Sequence, residues 1–386
     1  MMSVNINYDL SNYLPETAPS TLALKAVEES FGEDIPNLRV YIPDVSIPEA
    51  LEYKERLSEV DGVRNVLWLD DVTDIFKPLE MEDKDTVEAW YKDGGALFVL
   101  TADTDESGRV VQEIRDITGG RCFVSGEAAN QAAVQTAAME EVSMIMLYAI
   151  PIVLIILLLA TNSWFEPVLF IITIGAAILI NEGTNIFLGE VSYITRAASS
   201  ILQLAVSIDY AVFLLHSFAR YRQDEDMDVC DAMKKAMAHS FSAIAASAAT
   251  TVFGFLALTL MKFKIGPDMG IVLAKGVFLS YICVMVFLPV LAVFTTKFLD
   301  KTRHRTLLPP FKKFAKWSVK TCIPLAVVIF IVIVPSFLAQ SRNEFMYGSS
   351  GMHSEDSSVK RDADYINSIF GESLQMVLLV PEGDAP

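Results

Sequence analysis

Residues 207–215, "SIDYAVFLL", read as the middle of a membrane helix apart from one side chain. Between Ala197 and Ala219 the only formally charged residue is Asp209. A carboxylate at the centre of a membrane helix costs about 2.5–3.5 kcal/mol on insertion scales. An inert carboxyl bonded to a neighbour is the plainer explanation, but serine or asparagine would make that bond at lower cost. Loss of water favours the neutral form of any carboxyl, and a reversible proton carrier must be able to reach that form.

Outward from Asp209 the apolar residues are segregated into long runs. The 386-residue chain is 52% hydrophobic, with a mean hydropathy of +0.39. Six stretches approach or exceed the roughly 20 residues that cross a bilayer. They lie near 143–161, 167–188, 197–218, 241–261, 269–296 and 320–340, with Glu182 in the second and Lys275 in the fifth. The fold expected over 143–340 is a membrane α-helical bundle. Lys275 can snorkel to the outer interface, and "NEGTN" around Glu182 reads as a break near the outer surface.

The formal net charge of −18 is concentrated at one end, where residues 1–142 carry 29 acidic and 11 basic side chains. That balance argues against a nucleic-acid partner. The four cysteines (Cys122, Cys230, Cys283, Cys322) form no CxxC pair, so neither a disulfide framework nor a zinc site is expected. No metal or cofactor motif is expected anywhere in the chain. "MMSVNINYDL" lacks the basic and apolar regions of a secretory signal.

Segment 297–320 holds eight Lys/Arg against one Asp, and the positive-inside rule puts it in the cytoplasm. Loop 219–240 then faces the cytoplasm too, while 1–142 and the tail after 341 are external. Val229, Met233 and Met237 within that loop predict an amphipathic helix lying on the inner surface. Residues 38–125 read as β, α, β, β, α, β, the ferredoxin-like split unit. A helix from Glu127 runs into the first span, where Pro151 should kink it. No catalytic constellation is visible in the domain, and the first histidine of the chain is His216.

A repeat accounts for the two external blocks. "LPETAPSTLALKAVEESFGEDIPNLRVYIPD" (14–44) and "GMHSEDSSVKRDADYINSIFGESLQMVLLVPEG" (351–383) share a polar start, a helical stretch, Phe-Gly-Glu and a β-rich run. Phe31 and Phe370 stand 339 residues apart. The expectation is a duplicated protein cut at both ends: 1–142 its first external domain, 341–386 the start of the second.

A ferredoxin-like external domain followed by a helix bundle, in a duplicated unit, resembles the resistance-nodulation-division (RND) superfamily. "LQLAVSIDYAVFLLHSFARYR" (202–222) resembles the fourth helix of its MMPL branch of bacterial exporters, whose motif is Gly, three residues, then Asp-Tyr. Asp209-Tyr210 match, and Ala205 stands at the glycine position, still small enough for close helix packing. "SFSAIAASAATTVFGFLAL" (240–258) is similar to the next helix of that family. The resemblance implies porter-type external domains, a bacterial cytoplasmic membrane location and oligomers, commonly trimers. It also implies proton-motive-force-driven antiport that exports lipids or other hydrophobic compounds. Asp209 and Tyr210 would form one of two Asp-Tyr pairs in the proton relay, the other lying in the second repeat.

Depth matching along the antiparallel next helix makes Ser247, Thr250 and Thr251 candidate partners of Asp209. Bonds back to their own helix carbonyls are the plainer reading of these hydroxyls. His216, seven residues on and on the same face, could pass protons at the cytoplasmic mouth or simply sit at the interface. Glu182 is a second candidate acid. Two competing functions share parts of this pattern. An intramembrane aspartyl protease needs a second facing aspartate. A lipid- or sterol-sensing receptor needs no titrating Asp209, and dependence on the protonmotive force separates it from an exporter.

Overall fold

The computed structural model describes residues 4–8, 10–31, 35–75, 77–78, 81–104, 106–223, 227–304, 312–340, 342 and 357–371. The β-rich run expected after Phe370 lies outside these residues. At the N-terminus come strand β1 (Asn5–Asn7) and helix α1 (Pro19–Phe31). A five-stranded sheet follows, built from β2 (Leu38–Ile42), β3 (Val63–Leu67), β4 (Tyr91–Lys92), β5 (Gly95–Ala102) and β6 (Phe123–Ser125). Helices α2 (Ile47–Ser58), α3 (Lys84–Trp90) and α4 (Ser107–Ile117) connect the strands.

The main strands lie in the order β3-β5-β2-β6, every neighbour antiparallel, with β4 extending β5 as a short hairpin. Seven of the eight residues of β5 are buried, as a central strand of hydrophobic and β-branched residues requires. Leu38, Val40, Phe98, Leu100 and Val124 meet Leu57, Val110 and Ile114 from the helices in one core. Trp68 and Phe98 pack there with ring centroids 5.7 Å apart. Ser46 and Glu49 form a capping box at the start of α2, where Pro48 occupies the first turn. Gly126 closes the domain at φ 114°, with its Cα so near the Asn37 carbonyl that a Cβ would stand 2.6 Å away.

Helix α5 (Glu127–Ala160) runs from that turn with Pro151 inside it. The bundle continues with α6 (Glu166–Thr184), β7 (Glu190–Ser192), α7 (Tyr193–Tyr221), α8 (Val229–Ala257), α9 (Ile265–Ile282), a π-helical turn Cys283–Phe287 and α10 (Leu288–Phe294). Then come α11 (Thr296–Lys301), α12 (Lys312–Lys320), α13 (Cys322–Gln340) and α14 (Ser358–Phe370). Among the described residues five helical segments are long and apolar enough to cross a membrane: Glu166–Leu188, Tyr193–Tyr221, Val229–Leu260, Ile265–Phe294 and Cys322–Gln340. This is a multi-pass membrane protein. The first expected span, 143–161, is the end of α5, and its apolar run Leu147–Ala160 is shorter than the other five. The helix leaving the sheet domain and the apolar run form one continuous helix, so no helix end marks their boundary.

One expectation is corrected. Val229, Met233 and Met237 do not belong to a separate surface helix. They form the first turns of α8, where Met233 is buried in the bundle core and Val229 and Met237 pack against it. The apolar spacing is the start of a long apolar helix. Helix α8 buries Ala232, Ala236, Ser240, Ile244 and Ala248, one residue per turn, and small side chains on that line admit close packing. Helix α13 buries none of its residues against the rest of the chain.

The two ends of the bundle differ in what they tie together. At one end the 161–166 turn meets the segment after α11: Ser163 Oγ and Thr302 Oγ1 are 2.7 Å apart, and His304 N donates to the Asn162 carbonyl at 2.9 Å. At the other end β1 pairs in parallel with β7. There Asp268 Oδ2 accepts from Ser192 N at 3.0 Å and from Thr195 Oγ1 at 2.5 Å. Burial, with Asp268 and Glu190 nearby, pushes the Tyr13 hydroxyl well above its usual range.

Helices α1 and α14 are both 13 residues long and end at Phe31 and Phe370. Helix α14 seats on the sheet of residues 38–125. Tyr365 stacks on Phe123 at 4.0 Å, Phe370 meets Tyr41 edge-on at 5.5 Å, and Ile366 is buried between them. Arg115 Nη2 donates to Asp362 Oδ2 at 2.6 Å, and the same oxygen accepts from Val124 N at 3.3 Å. Asp362→Ala removes both bonds, a loss of about 1.5–3 kcal/mol for hydrogen bonds to a charged group. Amide exchange across 358–370 is expected to rise roughly tenfold to a hundredfold, measured by mass spectrometry, with the 38–102 strands unchanged. Equal exchange in the variant would show that the aromatic contacts alone hold α14.

Candidate proton-coupling site

Helix α7 starts at a Ser192 cap that accepts from Ile194 N at 3.2 Å. Its 29 residues divide cleanly into two faces. Gln203, Leu204, Ser207, Tyr210, Ala211, Leu214, Leu215 and Phe218 are buried. Leu202, Ala205, Asp209, Phe213 and His216 are exposed, and their spacing of three and four residues makes one stripe. The helical period therefore separates the Asp-Tyr pair, since adjacent residues differ by about 100° around the axis.

Asp209 stands on the open stripe, and no hydrogen bond or ion pair reaches it among the described residues. Tyr210 is 3% exposed, and its hydroxyl is buried without a partner among the described residues. Ala205 does not pack against another helix of this chain; it lies on the exposed stripe one turn from Asp209. His216 Nε2 lies 3.0 Å from the Ala160 carbonyl, a contact in which that nitrogen donates. The candidate partners on α8 are otherwise occupied: Thr250 and Thr251 donate to the Ser247 carbonyl of their own helix at 2.8 and 3.0 Å. Ser247 is exposed. The structure thus aligns Asp209 with Ala205 and His216 on one face and leaves Ser247, Thr250 and Thr251 unbonded to it.

Glu182 belongs to a different assembly. Its Oε1 accepts from Ser199 Oγ at 3.1 Å and Ser200 Oγ at 3.2 Å. Next to it Asn181 Nδ2 donates to Gln203 Oε1 at 3.1 Å, and Gln203 Nε2 donates to the Gly276 carbonyl at 3.1 Å and Ser280 Oγ at 3.0 Å. Asn181 and Gln203 are 0% and 2% exposed. These amides clamp α6, α7 and α9 together across the bundle interior. Lys275 Nζ reaches the end of α6, donating to the Asn181 carbonyl (3.1 Å), Thr184 Oγ1 (3.0 Å) and Asn185 Oδ1 (2.5 Å). A cation on the last carbonyls of α6 also complements the negative end of the helix dipole.

Sequence reasoning passed over Asn181, Gln203 and Ser280. A signal existed, because uncharged amides in apolar spans also need internal partners. Charged side chains stood out more strongly, and pairing across three helices is not legible in one dimension.

The arrangement combines an ionisable group on an uncovered face with a rigid polar clamp behind it. The MMPL family profile matches residues 100–324, more than half of the chain and all of α5 to α12. The chain belongs to the MMPL family. This family of RND-superfamily transporters includes several curated relatives of moderate similarity. The sulfolipid-1 exporter MmpL8 of Mycobacterium tuberculosis is 25% identical over 298 residues, covering 73% of this chain and 27% of the relative. A membrane protein of Streptomyces coelicolor, SCO0839, is 26% identical over 305 residues, 74% of this chain and 41% of the relative. A membrane protein of Methanocaldococcus jannaschii, MJ1562, is 24% identical over 321 residues, 72% of this chain and 82% of the relative. This MMPL chain thus spans under half the length of the first two relatives and most of the third.

Proposed function

We propose that this MMPL chain is part of a proton-motive-force-driven antiporter. It would export lipids or other hydrophobic compounds across a bacterial cytoplasmic membrane, with Asp209 and Tyr210 in its proton relay. The observation that carries the reading is the placement of Asp209. A carboxyl at mid-span on an open stripe is untenable against hydrocarbon, so the stripe of Leu202, Ala205, Asp209, Phe213 and His216 requires a polar cover. A second repeat with its own Asp-Tyr pair provides that cover and forms the site at the seam between halves. Ala205 then gives the close helix approach that the chain by itself does not use. The exporter reading draws support from the MmpL8 relative, and oligomer formation follows the same likeness.

The external block fits a porter domain. With α3 and β4 read as an insertion before β5, the order β2-α2-β3-β5-α4-β6 and the antiparallel arrangement β3-β5-β2-β6 support a ferredoxin-like reading. We place 1–142 and 341–386 outside and 219–240 and 297–320 in the cytoplasm, with 341–386 opening a second external domain whose first helix crosses to the first sheet. Transport is tested by reconstituting the full-length protein in vesicles with a fluorescent lipid and an imposed proton gradient. Efflux should follow the gradient and stop when a protonophore collapses it. Efflux indifferent to the protonophore would sink proton coupling, and binding without efflux would favour the receptor reading.

A further inference from the structure

We propose that Glu166 is the inner proton acceptor of the relay, receiving protons from the Asp209 stripe through His216; this inference rests on the proton-driven reading above. Glu166 opens α6 and is 7% exposed. One oxygen accepts from Asn162 N at 3.3 Å, and Ser163 Oγ accepts from Phe165 N at 3.2 Å. Glu166 thus stands in the first turn of α6 after an N-cap at Phe165 that makes no side-chain cap bond, unlike the full capping box that Ser46 and Glu49 make at α2. The two carboxylates differ in surroundings. The Ser46–Glu49 bonds are exposed, whereas Glu166 is buried and lines a cavity of about 100 Å³. A first-turn position alone gives no reason to bury a carboxylate.

The cavity also has Leu215, Phe218, Arg222, Asp300 and Arg303 in its wall. Among the described residues, charged or titratable groups surround Glu166 from three elements. His216 comes from α7, Arg222 from its end, Asp300 from α11, and Arg303 and His304 from the segment after it. Arg222 is committed to Asp300 through two bonds of 2.8 and 2.9 Å, which hold the Asp300 carboxyl below its usual range. No ion pair reaches Glu166 among the described residues. The cavity has room for a few waters, so the carboxyl can exchange protons with solvent at this end of the bundle.

His216 is the link to Asp209. It lies seven residues along the same stripe, about 10.5 Å down the axis, and its ring is held against the Ala160 carbonyl, two residues before the Asn162 amide that Glu166 accepts from. The contact to the Ala160 carbonyl holds the hydrogen on Nε2, which leaves Nδ1 to take and give a proton. Protonated Asp209 releases its proton to water along the stripe, and His216 Nδ1 accepts it. The imidazolium then protonates the Glu166 carboxylate, which releases the proton to cavity water. One proton moves, and no group ends the cycle oxidised or reduced.

The test uses the full-length protein in vesicles, with gradient-driven efflux of a fluorescent lipid measured as pH is varied on the side carrying residues 297–304. Glu166→Gln keeps an acceptor for Asn162 N but cannot titrate. Efflux is expected to fall about tenfold or more and its dependence on that pH to flatten, with thermal stability unchanged. A wild-type rate and pH profile, in a preparation where Asp209→Asn is inactive, would reduce Glu166 to a first-turn residue of α6 with no part in proton transfer. If both variants pump normally, the proton-driven reading fails and this inference falls with it. Should the glutamine variant not assemble, Glu166→Asp carries the test. A displaced pH profile supports the assignment and an unchanged profile overturns it.

Discussion

Asp209→Asn is expected to abolish gradient-driven lipid efflux by the full-length protein at matched expression, a fall of at least about a hundredfold. Asparagine preserves the size and hydrogen-bonding capacity of the side chain and removes only titration. The residue bonds to nothing within the described chain, so the substitution removes no intrachain contact and the fold of this half should be unaffected. Its neighbour Tyr210 lies on the buried face of the helix, with a hydroxyl that has no partner among the described residues. Tyr210→Phe relieves that unsatisfied group while removing a hydroxyl from the relay. Improved thermal stability with reduced efflux would assign Tyr210 to coupling, and improved stability with full efflux would make it a packing residue. Normal pumping by the asparagine protein would place the coupling site elsewhere.

Gly276→Ala should strain the polar clamp inside the bundle directly. A Cβ at residue 276 would stand 2.8 Å from Asn181 Nδ2 and 3.1 Å from Gln203 Oε1. Both atoms belong to the clamp across α6, α7 and α9, so neither amide can swing aside without stranding a buried polar group. Overpacking together with weakened buried hydrogen bonds gives a loss of about 2–5 kcal/mol, a large fraction of ordinary domain stability. The check is the folded yield and melting temperature of the detergent-solubilised protein. Adding Gln203→Ala should recover part of the loss by making room, because coupled neighbours do not add. An alanine variant as stable as the parent would show that the three helices are held by apolar packing and the clamp is incidental.

Long-range order of the bundle was visible in the sequence because the physics is local. Roughly 20 apolar residues cross a bilayer whatever surrounds them, and the segments expected near 167–188, 197–218, 241–261, 269–296 and 320–340 all appear as helices. The sheet strands were legible for a related reason: β-branched runs between Pro48, Gly94-Gly95 and Gly119-Gly120 leave few alternatives. Two short elements, α3 and β4, escaped notice because they have too few residues to show a period. The surface helix expected over 229–237 failed on a sharper point. Amphipathic spacing looks the same whether the apolar face meets lipid headgroups or the neighbouring helices α7 and α9.

For the site, sequence alone singled out Asp209, since a lone acid in an apolar span is costly wherever it points. It also fixed that Tyr210 lies on another face and that Ala205 and His216 share the face of Asp209, because those relations follow from 3.6 residues per turn. Tertiary structure decided the rest. It chose which face of α7 is buried, and so left Asp209 open while enclosing Tyr210. It turned Thr250 and Thr251 back to their own helix, drew Lys275 onto the end of α6, and joined Asn181, Gln203 and Gly276 from three segments. It also buried Glu166 at a cavity walled by Leu215 and Phe218 of α7. Burial and partnership are properties of packed surfaces, and one chain's helical period constrains its own faces without specifying which neighbour will cover them.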